Sequence, residues 1–444
     1  MRLLGAGSRI VREVAWVAGG QVVSAIAAVA SIRIMTELLS PDEFGRLTLL
    51  LGAAGLALGL AANPWLQAAI RYYPVAAEAQ RIGALRRRTL HLVTPFVLVA
   101  AALLALAPLA AGPWFGGTWY TGLLVATLLI VDCIRSLELS LFNSARRQRE
   151  AALVYAADAW SRPLTAIASV VAFGSSADTA LAGYVAGSAT VVLAMRLCMR
   201  MEGSGEPHAR EDADSGADAE LGRWMRRYAW PLLPLAVFGW LGGMGDRYVV
   251  AGLLGLQEAG LYAAAYGLAS RPFLMLGAVV ELTMRPVLQD AVAARNAAMV
   301  ARAKVTWLLV TVAGAGLGVL AFVLLSGWVG ELLLAAQYRT ATALMPWIAL
   351  GYALYNVATV YTRFCYAFDD TKAVSLLVVF GTLIGFAATV PAIMLWGLTG
   401  AALSVPIGFA AQLLLAFVLA RRAEANLLRK EEDAVRGRVP DEAR

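Results

Sequence analysis

The sequence predicts an all-α integral membrane protein of about 12 transmembrane helices, in two six-helix lobes around a central cavity. Three observations lead there. The chain of 444 residues is 60% hydrophobic and 15% charged, too apolar for a soluble globular protein of that size. Its apolar stretches reach about 20 residues or more, the length at which a helix crosses a hydrocarbon core of about 30 Å. No amphipathic segments are evident that would cover such stretches if they were only buried helices of a soluble fold. The third observation is a pattern that occurs twice.

Leu38-Leu39-Ser40-Pro41-Asp42-Glu43-Phe44-Gly45-Arg46-Leu47 is a short polar elbow between two apolar runs. It is echoed by Leu253-Leu254-Gly255-Leu256-Gln257-Glu258-Ala259-Gly260-Leu261-Tyr262. In each copy a Leu pair ends one run, an acid follows, and a Gly two residues after the acid opens the next run. Subtracting 38 from 253 gives an offset of 215, close to half the chain. The sequence therefore reads as two related halves, each opening with a helix, the elbow and a second helix.

Taken in order, Arg2, Arg9 and Arg12 precede an apolar run at 14–37. It has no small-residue cleavage site and is longer than a signal-peptide core, so it is read as a retained helix. Eleven more helices are expected near 46–70, 90–111, 119–142, 151–174, 180–199, 229–252, 260–283, 305–327, 342–366, 373–395 and 400–420. Residues 1–200 form the N-terminal lobe and 223–420 the C-terminal lobe. Between them, 201–222 is rich in Gly, Ser, Asp and Glu without apolar periodicity, the composition of a flexible cytoplasmic linker. Residues 421–444 are a cytoplasmic tail of mixed charge, and the longest outer loop is about Gly327–Ala341. Gly55 and Gly59, Gly381 and Gly385, and Gly400, Ser404 and Gly408 have the small-residue spacing of close helix packing.

Charge orients the helices. With the N-terminus inside, Arg71, Arg81, Arg86, Arg87, Arg88, Arg146, Arg147 and Arg149 fall in cytoplasmic loops. So do Arg223, Arg226, Arg227, Arg285, Arg295, Arg302, Lys304 and Lys372, while the outer loops hold little beyond Arg46 and Arg339. An even count with both termini cytoplasmic satisfies the positive-inside rule, and an odd count would scramble it.

Ionisable groups at membrane depth cost about 2.5–3.5 kcal/mol each on insertion scales, so they mark interior surfaces. In the fifth segment Tyr155, Asp158, Arg162, Thr165 and Ser169 share one stripe at helical spacing. The fourth carries Asp132, Arg135 and Glu138. The tenth carries Tyr352, Tyr355, Asn356, Thr359, Thr362, Arg363 and Tyr366, and the second has Asn63, Gln67 and Arg71. Asp246-Arg247 lies in the seventh and Arg271-Pro272 in the eighth, with no acid one turn from Arg271. Arg33 has Glu37 four residues on. These charges either pair as interhelical clamps or face a ligand. The balance at depth is cationic, and guanidinium grips phosphate oxygens in two-pronged geometry, which suits an anionic substrate.

The pI near 9.4 does not point to nucleic acid, because the basic residues sit in short segments between apolar runs. Cys133, Cys198 and Cys365 all lie in apolar runs and imply no disulfide framework. His91 and His208 have no metal-ligand neighbourhood, and the sequence has no phosphate-binding loop of the nucleotide-hydrolase type and no His-based triad. An enzyme is not expected, and neither is a bound cofactor.

With these residues in view, the chain resembles the polysaccharide-biosynthesis branch of the multidrug/oligosaccharidyl-lipid/polysaccharide exporter superfamily, the O-antigen-type flippases. The resemblance rests on Leu38 to Gly45, on Ala68-Ala69-Ile70-Arg71-Tyr72-Tyr73, and on Asp246-Arg247. It is extended by Glu258-Ala259-Gly260-Leu261-Tyr262 and Gly397-Leu398-Thr399-Gly400-Ala401-Ala402, and covers about residues 10–420. It implies a V-shaped bundle in a bacterial inner membrane, moving a polyprenyl-diphosphate-linked oligosaccharide to the outer leaflet by alternating access, with glycan polymerases or other assembly proteins as partners. Members often have 14 helices where this chain has about 12. Arg135, Arg162, Arg271 and Arg363, with Tyr155 and Asn356, are the candidate substrate-binding residues by position and chemistry. Asp132, Asp158 or Asp246 would carry a coupling proton or sodium ion. The alternative is a multidrug or small-solute antiporter of the same superfamily, whose cavity should be acidic or apolar.

Overall fold

A computed structural model describes residues 2–110, 118–201, 215–294, 296–367 and 371–435. Every regular element among them is helical. In chain order these are α1 (Arg2–Leu38), α2 (Pro41–Ala61), α3 (Asn63–Glu78), α4 (Ile82–Ala110), α5 (Trp119–Ser144), α6 (Gln148–Phe173) and α7 (Ala177–Met201). They continue with α8 (Ser215–Ala229), α9 (Leu233–Trp240), α10 (Asp246–Leu254), α11 (Leu256–Ala293), α12 (Ala297–Leu333), α13 (Met345–Ala367) and α14 (Thr371–Val435). Among the described residues, eight stretches are long and apolar enough to cross a membrane. The chain is a multi-pass, all-α membrane protein.

Two predicted helices are broken, each for a local reason. The segment expected at 46–70 divides at Ala62, because Asn63-Pro64 follows. Proline lacks an N–H and disfavours helical backbone in the residue before it, and Pro64 sits in the first turn of the new helix, where its missing N–H costs nothing. The segment expected at 229–252 begins as a 3₁₀ turn over Trp230–Leu232, runs through α9 and widens into a π-turn over Leu241–Gly245 before α10. Pro231 and Pro234 account for the first change, and the run of glycines in Leu241-Gly242-Gly243-Met244-Gly245 permits the second.

Three expectations about connections change. Of the linker read at 201–222, residues 202–214 lie outside the described residues, and 215 onward is helix. That helix, α8, is amphipathic, a periodicity the polar composition of the stretch hid. The expected outer loop at 327–341 is helical to Leu333, and a 3₁₀ segment spans Ala336–Leu344. The tail continues α14 to Val435, and α14 itself kinks at Gly397, whose φ of 57° favours glycine.

The chain forms two compact units. The first comprises Met1–Ala264 with Val329–Thr340, the second Ala265–Trp328 with Ala341–Arg444. In the first, α5 is central, packed against α2, α3, α4, α6 and α7. Trp65, Val93, Leu129 and Leu137 belong to a buried apolar patch there. In the second, α13 packs along α14, and Leu288, Trp307, Val360 and Phe364 join α11, α12 and α13.

The two elbows meet inside the first unit. A Cβ on Gly45 would stand 2.8 Å from Gly260 N and collide with the Leu256 carbonyl, while one on Gly260 would stand 3.0 Å from Gly45 N and collide with the Pro41 carbonyl. Adding 215 to 41 and 45 gives 256 and 260, so the contact is reciprocal at the offset of the repeated motif. Such mutual contact of one patch with its counterpart is the geometry of a two-fold related pair. The first elbow is further held by Ser40, which accepts from Glu43 N (3.4 Å) as the N-cap of α2, and by Tyr338 and Gln337, which donate to the Leu39 carbonyl at 2.9 and 3.1 Å.

Small-residue packing follows the sequence only in part. Gly385 and Gly408 lie backbone to backbone across the two arms of α14, and Thr389 bonds Ser404 at 3.1 Å nearby. Gly55 and Gly59 are not packing contacts, because a Cβ added to either would find open space to 4 Å. Gly183 and Gly187 on α7 are, receiving the backbone of Arg162 and Ala166 on α6.

Candidate functional site

Close approach of α6 and α7 is what positions the candidate charges. Thr165 donates to the Gly183 carbonyl at 2.7 Å and Ser161 to the Gly187 carbonyl at 3.0 Å, so Arg162 is carried between α5 and α7. There Arg162 Nη2 pairs with Asp132 Oδ1, and its Nε donates to Ser188 Oγ at 2.7 Å and lies 3.2 Å from Asp158 Oδ1. Arg135 Nη1 lies 3.2 Å from Asp158 Oδ2, and its Nε 3.5 Å from Asp132 Oδ1. Each arginine thus faces both aspartates in a closed, charge-balanced square whose four side chains are 12–20% exposed. The square satisfies the requirement that buried charge be matched, and it commits both guanidiniums to carboxylates in this structure.

The other candidates lie apart from the square. Tyr155, one turn before Asp158, is exposed, and its hydroxyl accepts from Asn143 at 3.4 Å. Glu138 is buried and pairs with Arg86 of α4. Asp246 accepts from Tyr262 at 2.6 Å and from Arg247 N at 2.9 Å, while Arg247 Nη1 donates at 2.7 Å to the Gly243 carbonyl within the π-turn. The Asp-Arg pair therefore fastens the π-turn and the start of α11 at one point.

In the second unit, Arg363 Nη2 pairs with Glu281 Oε2 at 2.8 Å and lies over the Tyr366 ring. Asn356 is buried and donates to the Phe273 carbonyl at 2.9 Å, a bond to backbone one residue past Pro272. Tyr352 donates to Tyr266 at 3.0 Å, and Tyr355 packs on Phe409. Arg271 differs from all of these. It is exposed near the middle of α11 and has no ion-pair or hydrogen-bond partner among the described residues.

Sequence reasoning missed three partners. Glu281 holds Arg363, Ser188 holds Arg162, and Asp178 at the start of α7 takes Arg46 Nη2 on both oxygens at 3.1 and 3.0 Å. Arg46, read as an outer-loop charge, is buried by that pair and by Thr121 at 3.1 Å. Only Glu281 left a signal in sequence, an acid at membrane depth four residues before Arg285.

Residues 10–292 match the family described as polysaccharide biosynthesis protein, and the chain belongs to that family. No curated protein matches the chain. Among solved structures it is similar to an inward-facing multidrug resistance transporter of the MATE family in the MOP superfamily, with TM-score 0.68 and 14% identity over 92% of this chain and 96% of that one. It is similar also to the lipid II flippase MurJ in an inward closed conformation, with TM-score 0.69 and 13% identity over 95% and 92%. The Vibrio cholerae MATE transporter VcmN aligns with TM-score 0.61 and 9% identity over 94% and 98%. At these identities the likeness is one of fold.

Proposed function

We propose that the chain is a flippase that carries a lipid-linked anionic oligosaccharide from the cytoplasmic to the outer leaflet by alternating access. Membership of the polysaccharide biosynthesis family over residues 10–292 carries this reading. The fold shared with a lipid II flippase supports it. The proposed topology has 12 membrane crossings in two six-helix lobes, with both termini cytoplasmic.

In this reading Arg271, with no protein partner among the described residues, makes the first contact with the diphosphate. Arg135, Arg162 and Arg363 are released from Asp132, Asp158 and Glu281 as phosphate oxygens replace carboxylate oxygens. A proton or sodium ion then balances the freed aspartates, which couples headgroup entry to ion uptake. Tyr155 offers an exposed ring and hydroxyl to the sugar, and Asn356 holds the backbone beside Arg271 in place.

The test is flipping by the purified chain in liposomes, using a fluorescent polyprenyl-diphosphate saccharide and a membrane-impermeant quencher. Protein-dependent loss of protected fluorescence is expected, and protection equal to that of empty liposomes would reject the reading. The similarity to a multidrug resistance transporter favours a second reading, export of small solutes. Drug resistance on overexpression, undisturbed by loss of glycan assembly, would select it.

A further inference from the structure

Helix α8 and the two helices beneath it carry a charge pattern that the transport reading leaves unused. α8 seats Leu221, Met225 and Tyr228 on α3 and α4, with Met225 fully buried beside Ala76 and Leu85. At 100° per residue, Arg223, Arg226 and Arg227 fall on the opposite face, and all three are exposed. Two more guanidiniums arrive from below. Arg71 of α3 lies 5.7 Å over the Tyr228 ring, and Arg88 of α4 packs so tightly on Gly222 that a Cβ there would collide with its guanidinium. Arg88 Nε is buried and has no hydrogen-bond partner among the described residues. None of the five arginines has an acidic partner among the described residues. The exposed Glu220 stands in the first half of α8, ahead of all three of its arginines.

The position of this cluster fits a bilayer surface. The chain passes from α8 through Trp230–Leu232 directly into the apolar α9, which opens the seventh crossing of the proposed topology and puts Arg226 and Arg227 about two turns before membrane entry. Exposed Trp224 and Trp230 flank Arg226 and Arg227, as aromatic side chains do at the headgroup level. Ile70 and Val75 on α3 are exposed beside Arg71 and offer an apolar path for an acyl chain.

We propose that Arg71, Arg88, Arg223, Arg226 and Arg227 form a binding site for the phosphate of an anionic glycerophospholipid of the cytoplasmic leaflet, separate from the transport site. Guanidinium matches phosphate in two-pronged geometry, and a juxtamembrane basic cluster is drawn to an anionic leaflet. The bound lipid anchors α8, the helix that joins the two halves of the sequence, at the membrane surface.

The test uses the full-length chain in nanodiscs of phosphatidylcholine and phosphatidylglycerol in equal parts, followed by native mass spectrometry of retained lipid. The wild type should retain phosphatidylglycerol preferentially and release it as salt rises. Each of Arg223→Gln, Arg226→Gln and Arg227→Gln should reduce the preference about fivefold, the worth of one basic residue at an anionic surface. The triple Lys variant, which keeps the charge and guards against misfolding, should retain a reduced preference. Equal retention of both lipids by the wild type, retention insensitive to salt, or an undiminished preference in the triple Gln variant would overturn the proposal. Displacement of phosphatidylglycerol from the wild type by an equal concentration of farnesyl diphosphate would assign the site to the transported lipid and overturn it too. Loss of lipid preference with flipping intact would support it without bearing on the transport reading.

Discussion

Arg162 and Arg271 carry the same charge, yet their surroundings predict different fates on substitution. Arg162 is one corner of a closed square, and its removal leaves Asp132 and Asp158 sharing Arg135 alone. Breaking a buried pair from one side costs about 3–5 kcal/mol, so Arg162→Ala should lower the amount of folded protein in the membrane as well as export. Adding Asp132→Asn to Arg162→Gln removes one charge of each sign and should restore the folded level, measured by thermal unfolding in detergent, without restoring export. Wild-type unfolding of Arg162→Ala would show that the square contributes nothing to the fold. Arg271 has no such partners among the described residues. Arg271→Ala should leave the unfolding temperature within error of wild type and abolish flipping, and unimpaired flipping would remove Arg271 from the site. The same-helix contacts of the square were legible in sequence, because Asp132 and Arg135, and Asp158 and Arg162, stand one helical turn apart. The bonds that close it between helices were not. They depend on which helices adjoin, and Ser188 beside Arg162, like Asp178 beside Arg46, is an ordinary residue until folding brings an arginine to it.

At the scale of elements, spacing and contact give different answers for the glycines. Gly55 and Gly59 have the spacing of a packing motif, but a methyl group at either would meet nothing within 4 Å. Gly55→Ala and Gly59→Ala should therefore be neutral, or stabilise α2 by about 0.5–1 kcal/mol through helix propensity. Gly45 and Gly260 lack any GxxxG partner, yet each abuts the backbone of the other elbow. Gly45→Ala or Gly260→Ala should destabilise by about 1–3 kcal/mol, since backbone cannot rotate away as a side chain can. A drop in unfolding temperature for these two and none for the first pair is the expected pattern, and the reverse would mean that the elbows do not pack as described. The elbow itself was legible as a repeat because its Leu pair, acid and glycine recur at one offset. Its contact was not, since a glycine in sequence shows only that a close approach is tolerated. The broken second and seventh helices could have been read from Asn63-Pro64 and from Pro231, Pro234 and the glycine run, had hydropathy not bridged them.

For the whole molecule, the repeat and the charge pattern constrain the same unknown. If each half crosses the membrane six times, equivalent turns of the two halves must face the same side, because an even number of crossings returns the chain to where it began. If a half crossed an odd number of times, they would face opposite sides, as in inverted repeats. The structure supplies exposed turn positions for deciding between the two. Asp42 and Gln257 occupy the two elbows, and Gln80 and Asn296 occupy the turns after the next membrane segment of each half. Single cysteines at these four positions, in a chain whose Cys133, Cys198 and Cys365 are replaced by serine, should label in two pairs. An impermeant maleimide added to intact spheroplasts should reach Asp42→Cys and Gln257→Cys. It should reach Gln80→Cys and Asn296→Cys only after the membrane is opened, which is the side the clustered arginines assign to the cytoplasm. Labelling of Asp42→Cys and Gln257→Cys from opposite sides would contradict the contact of Gly45 with Gly260, make the halves an inverted repeat and defeat the six-crossing reading of each half. Labelling of both elbow positions only after opening would keep the parallel repeat but reverse the orientation, and would carry Arg71, Arg88 and α8 to the outer leaflet with it.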